Sequence, residues 1–396
     1  MASAAVARER RGDVSVQGIS AEELRDAVRD LLRAEGDLDV ARLEAPQRER
    51  ALDDLWQKVS ELGCLGLNIG EQYGGMGLGF AALGVLYEEL GRHLSPLPIL
   101  TTLLAAEAIR IGADEEQKAP WLTAIAAGSL RASLALPTGR QTAPRLETGR
   151  TAVGSVTDVL YADRADELLV PVQDERGLFL AVVARSDSRL EVVSRPGFDT
   201  SRSLCEIRLN GVDVGERRLI PLEESLWSSL LDHASVALAC DAVGGAGRIL
   251  EDTVTYLDTR RQFGRPVGSF QSLKHRAATW KVVLEGARAF SRHAAELIAG
   301  EDAIRSAIAS CARVSACEAY IAIAGDAVQL HGGIGFTWEH ECHLFLKRAR
   351  LNAVLFGSLI QHRERAAQFA FADALGAPDR ARRLLLGSRE PAAGGC

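Results

Sequence analysis

The chain has 396 residues and a formal net charge of −7, and hydrophobic residues make up 47% of it. This composition is ordinary for a globular protein of two or three domains, and the acidic balance argues against a nucleic-acid or anionic-membrane binder. Seven cysteines at irregular spacing suggest no disulfide framework, which favours a reducing, cytoplasmic location. No apolar stretch is long and uncharged enough to predict a membrane span.

The first third of the chain predicts helices. Residues 1–19 are expected to be a disordered lead-in, after which Ser20 and Glu23 form the sequence pattern of a capping box. Further apolar stripes with helical spacing follow, separated by turns rich in glycine and proline. Residues 20–129 are therefore predicted to form an N-terminal α-helical domain.

The pattern changes at residue 130. Short β-branched runs such as ELLVPV and LFLAVVA alternate with turn residues up to residue 225, which predicts a middle β domain, either a barrel or a sandwich. Residues 226–375 return to long Ala- and Leu-rich helical segments and predict a C-terminal four-helix bundle. Residues 376–396 are predicted to be a tail. The predicted fold class is α+β.

Two glycine-containing stretches interrupt the helical pattern of the last domain. One is YLDTRRQFGRPVGSFQ at Tyr256–Gln271, and the other is QLHGGIGFTWE at Gln329–Glu339. Glycine allows the chain to turn and the backbone to approach a ligand closely. The guanidinium of Arg260 suits an anion such as a pyrophosphate. The two stretches are therefore candidates for a cofactor site.

These motifs resemble the acyl-CoA dehydrogenase family. RRQFGRPVGSFQ is similar to the family's Arg-x-Gln-Phe-Gly…Phe-Gln motif, and QLHGGIGFTWE to its Gln-x-x-Gly-Gly-x-Gly-aromatic…Glu motif. The resemblance implies helical, β and helical domains in that order, and an FAD bound across a subunit interface. It further implies that eight residues contact the pyrophosphate and adenosine half of FAD: Arg260, Gln262, Phe263, Phe270, Gln271, Gln329, Gly332 and Gly333.

The chain departs from the family pattern where the catalytic glutamate belongs. The resemblance puts that base at one of two positions, which here hold Phe356 and Ala234, and neither side chain can accept a proton. No catalytic residue is therefore predicted. Asp232 and His233 flank the second position and are alternative bases, although His233 is expected at a helix surface.

The middle domain departs from the family pattern as well. The loop that holds flavin and substrate reads ALPTGRQTAP, and the strand that lines the flavin reads DVLYA. Asp158 and Leu160 replace the family's Trp and Thr in that strand. A buried carboxylate beside a flavin ring is costly, so a flavin pocket in this chain's own β domain is not expected.

Taken together, the resemblance implies one subunit of a heteromeric FAD-dependent acyl-CoA dehydrogenase, with an α2β2 arrangement and a partner that supplies the glutamate. An acyl-CoA substrate, with a steroid side-chain thioester as a candidate, and an electron acceptor such as electron-transfer flavoprotein are implied in the same way. The alternatives are a self-sufficient homo-oligomeric flavoenzyme with an atypical base, and a non-catalytic scaffold.

A possible metal pair occurs in the stretch WEHECHLFL. His340 and His343 have the i, i+3 spacing that allows two histidines on one helical face to share a metal ion. The sequence shows no third or fourth ligand for such an ion. No metal site is therefore predicted.

Overall fold

The computed structural model describes residues 20–35, 45–136, 142–147, 150–300 and 304–372. The predicted lead-in and the predicted tail lie outside these ranges, as do residues 137–141 of the loop ALPTGRQTAP. The described chain forms helices, then a β-sheet, then helices, which confirms the predicted α+β class and order of domains.

The N-terminal part is helical within the described residues. The capping box that the sequence predicts is present, because the backbone N–H of Ser20 donates to Glu23 Oε2 at 2.8 Å and the N–H of Glu23 donates to Ser20 Oγ at 3.1 Å. The helices are α1 (Ala21–Glu35), α2 (Ala45–Glu61), α3 (Phe80–Arg92), α4 (Ile99–Gly112) and α5 (Glu115–Ala126).

The middle part is a single hydrogen-bonded sheet. Its strands are β1 (Ala132–Leu134), β2 (Arg145–Glu147), β3 (Thr151–Leu160), β4 (Glu167–Asp174), β5 (Gly177–Ala184), β6 (Leu190–Arg195), β7 (Leu204–Asp213) and β8 (Leu219–Pro221). The strand order is β6-β7-β3-β2-β4-β5-β8, with β1 paired in parallel to β4. Buried side chains of β3, β4, β5 and β7 share one hydrophobic cluster. The strands therefore form one sheet that curves around its own core, rather than the two separate sheets of a sandwich.

The C-terminal part is a helical bundle built around its third helix. The elements are α6 (Glu224–Thr259), the hairpin strands β9 (Arg261–Gln262) and β10 (Arg265–Pro266), α7 (Gln271–Leu297), α8 (Arg305–His331), α9 (Cys342–Asn352) and α10 (Leu359–Ala372). Helix α8 contacts α6, α7, α9 and α10. The predicted fourth long segment is divided into α9 and α10, because Phe356 and Gly357 adopt positive φ angles of 53° and 106°.

The apolar composition of helix α8 is explained by its burial in the bundle. The stretch Arg305–Phe336 is long and hydrophobic enough to cross a bilayer, with a mean hydropathy of 1.4 in its most apolar window. This corrects the expectation from the sequence that no apolar stretch of the chain has that length and composition. However, 61% of that window is buried inside the bundle. The stretch therefore has the burial expected of a core helix, and its apolar side chains are covered by protein.

Two glycines bring the N-terminal helices against the bundle. A Cβ added to Gly91 of α3 would lie 2.0 Å from the carbonyl oxygen of Asp241, and one added to Gly244 of α6 would lie 1.8 Å from that of Glu88. Both distances are far below van der Waals contact. Helices α3 and α6 therefore touch backbone to backbone, which only glycine permits at these positions.

A buried network of charged and polar groups joins the β-sheet part of the chain to the helical bundle. We call Asp199, Arg202, Asp241, Arg348 and Asn352 the domain-junction network. Arg348 of α9 donates from Nε to Asp199 Oδ2 at 2.8 Å and from Nη1 to Asp241 Oδ2 at 3.3 Å. Arg202 donates to Asp241 Oδ2 at 2.7 Å and to Asn352 Oδ1 at 2.6 Å. The network fixes the segment that precedes β7 on the bundle.

Candidate functional site

The first candidate stretch forms a tight hairpin at the end of α6. Phe263 and Gly264 occupy its two-residue turn with φ angles of 53° and 76°, the signs of a type I′ turn. The turn holds the Phe263 ring 90% exposed at the tip of the hairpin. The Phe263 and Phe270 rings are nearly perpendicular with centroids 6.2 Å apart, and the Arg265 guanidinium lies 4.0 Å from the centre of the Phe270 ring. The hairpin therefore presents aromatic and cationic groups to the outside.

The second candidate stretch begins where α8 ends. Gly332 has a φ of 65°, which ends the helix and starts a 3₁₀ turn over Gly332–Phe336. A Cβ added to Gly332 or Gly333 would meet no atom within 4 Å, so the outer faces of both glycines are open. Phe336 and Trp338, which follow, are 74% and 67% exposed.

The structure brings the two stretches together. The ring of Tyr256, near the end of α6, stacks on the ring of His331 with centroids 4.3 Å apart, and its hydroxyl donates to the His331 carbonyl at 3.4 Å. Seven of the eight predicted cofactor contacts are exposed, and Phe270 is half-buried. In the part of the chain that the structure describes, the side chains of Arg260, Gln262, Gln271 and Gln329 bond to no other residue. These polar groups are therefore available to a bound molecule or a second chain.

Both predicted base positions are buried. Phe356 is 6% exposed, and its carbonyl oxygen accepts a hydrogen bond from His362 Nε2 at 3.0 Å. Ala234 is fully buried within α6. Neither position holds a group that can take up a proton.

Asp232 is committed to an internal ion-pair cluster. Its carboxylate is fully buried and lies 2.5 Å from Arg365 Nη1 and 3.1 Å from Arg305 Nε. Ser306 Oγ donates to it at 2.8 Å. Two guanidinium groups and one hydroxyl thus hold the carboxylate of Asp232 inside the protein.

His233 lies in the protein interior, so the expectation that it sits at a helix surface is wrong. Its Nδ1 donates to the Ser229 carbonyl at 2.7 Å, and its Nε2 lies 3.4 Å from a carboxylate oxygen of Glu107. Burial lowers the pKa of this imidazole, although Glu107 opposes the shift. Its ring also meets Phe80 edge to face at 4.9 Å. Both ring nitrogens are thus engaged inside the protein.

Asp158 is exposed, so it is not the buried carboxylate on which the sequence argument against a flavin pocket in this β domain relied. It lies in an irregular part of β3, where the pairing with β7 shifts register between Val156 and Val159. Its φ of 62° interrupts the regular alternation of inward- and outward-facing side chains along the strand. Leu160 returns to the buried face, and its carbonyl accepts from Ser133 Oγ at 2.6 Å.

His340 and His343 do not lie on one helix, although their i, i+3 spacing allowed that arrangement. Helix α9 begins at Cys342, so His340 precedes it and only His343 lies on it. His343 contacts Trp338 edge to face at 4.8 Å. His340 instead meets His331, with ring centroids 4.3 Å apart. This contact joins residues of two elements and has no local signal in the sequence.

Two models of known protein families match the two helical parts of the chain. Residues 20–129 match the family model described as acyl-CoA dehydrogenase, N-terminal domain, and residues 225–371 match the model described as acyl-CoA dehydrogenase, C-terminal domain. The chain is 33% identical over 312 residues to acyl-CoA dehydrogenase IpdE2 of Mycobacterium tuberculosis. That alignment covers 78% of this chain and 85% of the relative.

Solved structures have the same architecture. The chain aligns with a chain of the ChsE4–ChsE5 complex of Mycobacterium tuberculosis at a TM-score of 0.77 and 25% identity. The alignment covers 94% of this chain and 98% of the chain in that complex. The chain also aligns with a variant of the Tcur3481–Tcur3483 steroid ACAD at a TM-score of 0.79 and 26% identity, over 90% and 99% of the two chains.

Proposed function

Because this chain belongs to the acyl-CoA dehydrogenase family, whose cofactor is FAD, we propose that it is one subunit of a heteromeric acyl-CoA dehydrogenase. In this proposal it contributes contacts to an FAD whose flavin ring is held by a partner subunit, in an α2β2 arrangement. The partner also supplies the catalytic glutamate. One observation carries the proposal: the predicted cofactor contacts lie at the surface, whereas Phe356 and Ala234 occupy the base positions.

The exposed stretches fit the adenosine diphosphate half of FAD. The Arg260 guanidinium offers hydrogen-bond donors to a diphosphate, and the open faces of Gly332 and Gly333 allow a ligand to approach the backbone closely. The exposed ring of Phe263 offers a flat apolar surface to an adenine. When bound, FAD supplies the hydride acceptor for desaturation of the acyl group. The role of this chain's residues is to bind and orient the cofactor.

The substrate and partners follow from family membership and from similarity. We assign an acyl-CoA thioester as substrate, with a steroid side chain as its acyl group, because a similar solved structure is a steroid ACAD. The similarity to the ChsE4–ChsE5 complex supports a partner that is itself acyl-CoA dehydrogenase-like. Electron-transfer flavoprotein is the proposed electron acceptor, and the cytoplasm the proposed location.

The contacts of Asp232 and His233 disfavour a self-sufficient enzyme with an atypical base. Asp232 is ion-paired to two arginines, and both ring nitrogens of His233 are engaged in the interior. Bringing either group to a substrate would break buried interactions. A non-catalytic scaffold remains distinct from the proposal, since it predicts no flavin in any assembly.

The visible spectrum of the purified protein tests the proposal. The chain is expressed alone and together with the product of the neighbouring acyl-CoA dehydrogenase-like gene. We expect a colourless chain alone and a yellow complex with about one FAD per two chains, as a shared site in a symmetric α2β2 assembly requires. A yellow chain that is bleached by an acyl-CoA on its own would overturn the proposal.

The contact residues are tested by the variant Arg260→Ala in the same complex. Loss of a charge-assisted hydrogen bond to a phosphate costs about 1.5–3 kcal/mol, so FAD should bind roughly 10- to 150-fold more weakly. Arg217→Ala is the matched control, because Arg217 is also an exposed arginine, with 85% of its side chain accessible, but lies beside the β-sheet. Equal FAD affinity in the two variants would exclude the assigned role of Arg260.

A further inference from the structure

Three side chains that commonly bind metal ions converge behind the second glycine stretch. His331 is the last residue of α8, His340 lies before α9, and Cys342 is the first residue of α9. One ligand atom from each lies within 4.8 Å of the others. The Cys342 sulfur is 3.3 Å from His331 Nδ1. His331 and Cys342 are eleven positions apart in the chain, and the fold brings their side chains together.

The His331 ring has one nitrogen engaged and the other unpaired, and Cys342 Sγ must turn from Nδ1 towards Nε2 for the two side chains to share an ion. His331 Nδ1 donates to the carbonyl of Ala327 at 2.8 Å, which fixes the ring and leaves Nε2 as the second nitrogen. The side chain is 3% exposed, and Nε2 is buried without a hydrogen-bond partner. Buried polar atoms are rarely left unpaired, and metal-bound imidazoles typically donate their other N–H to a backbone carbonyl.

Acidic groups lie next to the cluster. Glu341 stands between His340 and Cys342 in the chain, and Arg248 lies 4.0 Å from its carboxylate. Arg248 also pairs with Asp252 of α6 at 2.7 Å. Two carboxylates thus share one guanidinium here, and the net charge of these three groups is negative.

We propose that His331, His340 and Cys342 form a binding site for a divalent metal ion of the zinc class. Two imidazoles and one thiolate are ligands that zinc prefers, and a water molecule completes a tetrahedral set. Binding displaces the thiol proton of Cys342 to solvent, because the thiolate is the form that coordinates metal. The assignment uses only these residues and does not depend on the proposed function.

The position of the site gives the ion a structural role. His331 directly precedes Gly332, and its ring stacks on Tyr256, which lies four residues before Arg260. An ion that bridges His331 to the start of α9 would fix the 3₁₀ turn between them. The metal would therefore hold the two exposed stretches in one relative orientation.

Metal titration of the full, tag-free chain tests this inference. The chain is stripped with a chelator and titrated with Co²⁺, whose thiolate complex absorbs in the near ultraviolet, and then with Zn²⁺ in competition. We expect about one ion per chain and a thiolate absorption band. His340→Gln and Cys342→Ser should each weaken binding by more than about 100-fold, since even outer-shell partners contribute 10- to 100-fold.

Two controls separate this site from other histidines and thiols. His343→Gln changes the neighbouring histidine on α9, and Cys311→Ser removes a cysteine of α8 outside the cluster. Both should bind Co²⁺ as the wild-type chain does. If Cys342→Ser does not fold, His340→Gln decides the question, because His340 is only partly buried. Absence of binding to the wild-type chain, or unchanged binding in His340→Gln, would overturn the inference.

Discussion

Removal of the Arg348 side chain should lower the free energy of unfolding more than the loss of any surface ion pair does. The side chains of Arg348 and Asp199 are 1% and 0% exposed, and Arg348 also donates to Ser201 Oγ at 2.6 Å. Burial acts to lower the pKa of Arg348, but the attraction of Asp199 and Asp241 outweighs it and raises the pKa above its ordinary value. The guanidinium is therefore charged and tightly held in the folded chain.

The size of the effect follows from what remains after substitution. In Arg348→Met, Asp241 keeps its contact with Arg202 at 2.7 Å, but Asp199 loses its only ion-pair partner among the described residues. Leaving one buried charge uncompensated costs about 3–5 kcal/mol. Asn352→Ala preserves both ion pairs of Asp241 but removes a hydrogen bond from Arg202 and one to Asp241, so we expect a smaller loss of about 1.5–3 kcal/mol.

Urea unfolding of the full chain measures these differences. Arg176→Met is the control, because Arg176 pairs with Asp174 at an exposed turn, and its unfolding midpoint should equal that of the wild type. The double variant Arg348→Met, Asp199→Asn should recover part of the loss, since it removes the uncompensated charge as well. An unfolding free energy for Arg348→Met within about 0.5 kcal/mol of wild type would refute this reasoning.

Three further outcomes are expected. Burial lowers the pKa of His362 to about 3 from its ordinary 6.5. The neutral imidazole therefore makes its full contribution to the free energy of unfolding above pH 6.5, and this contribution is lost as the pH falls towards 3. Between pH 7 and pH 5, the unfolding free energy measured with urea should fall by about 2 kcal/mol less in His362→Gln than in the wild type. Gly244→Ala should lower the unfolding free energy by about 1–3 kcal/mol through its clash with the Glu88 carbonyl, whereas Gly286→Ala, which meets no atom within 4 Å, should not. His233→Gln should leave turnover of the reconstituted complex near wild type, and a loss of about 100-fold or more would instead mark His233 as a general base.

The sequence determined the elements whose signals are local. Periodic apolar residues specified the helices, and the pair Ser20 and Glu23 specified the start of α1, because both features depend on residues less than two helical turns apart. Glycine positions likewise indicated the breaks at Gly264 and Gly332, where only a residue without a Cβ adopts a positive φ at little cost. The family motifs lie at these breaks, so the candidate cofactor contacts were available from the sequence too.

The tertiary structure alone decided the environment of each polar side chain. The sequence argument against a flavin pocket relied on a buried carboxylate at Asp158, but this residue is exposed because a register shift in β3 turns it outwards. His233 was expected at the surface and is buried, because α4 supplies Glu107 beside it. Arg348 and Asp199 are 149 positions apart in the chain, yet they form one buried ion pair. No local pattern encodes such a partner, since burial and charge compensation depend on which distant elements pack together.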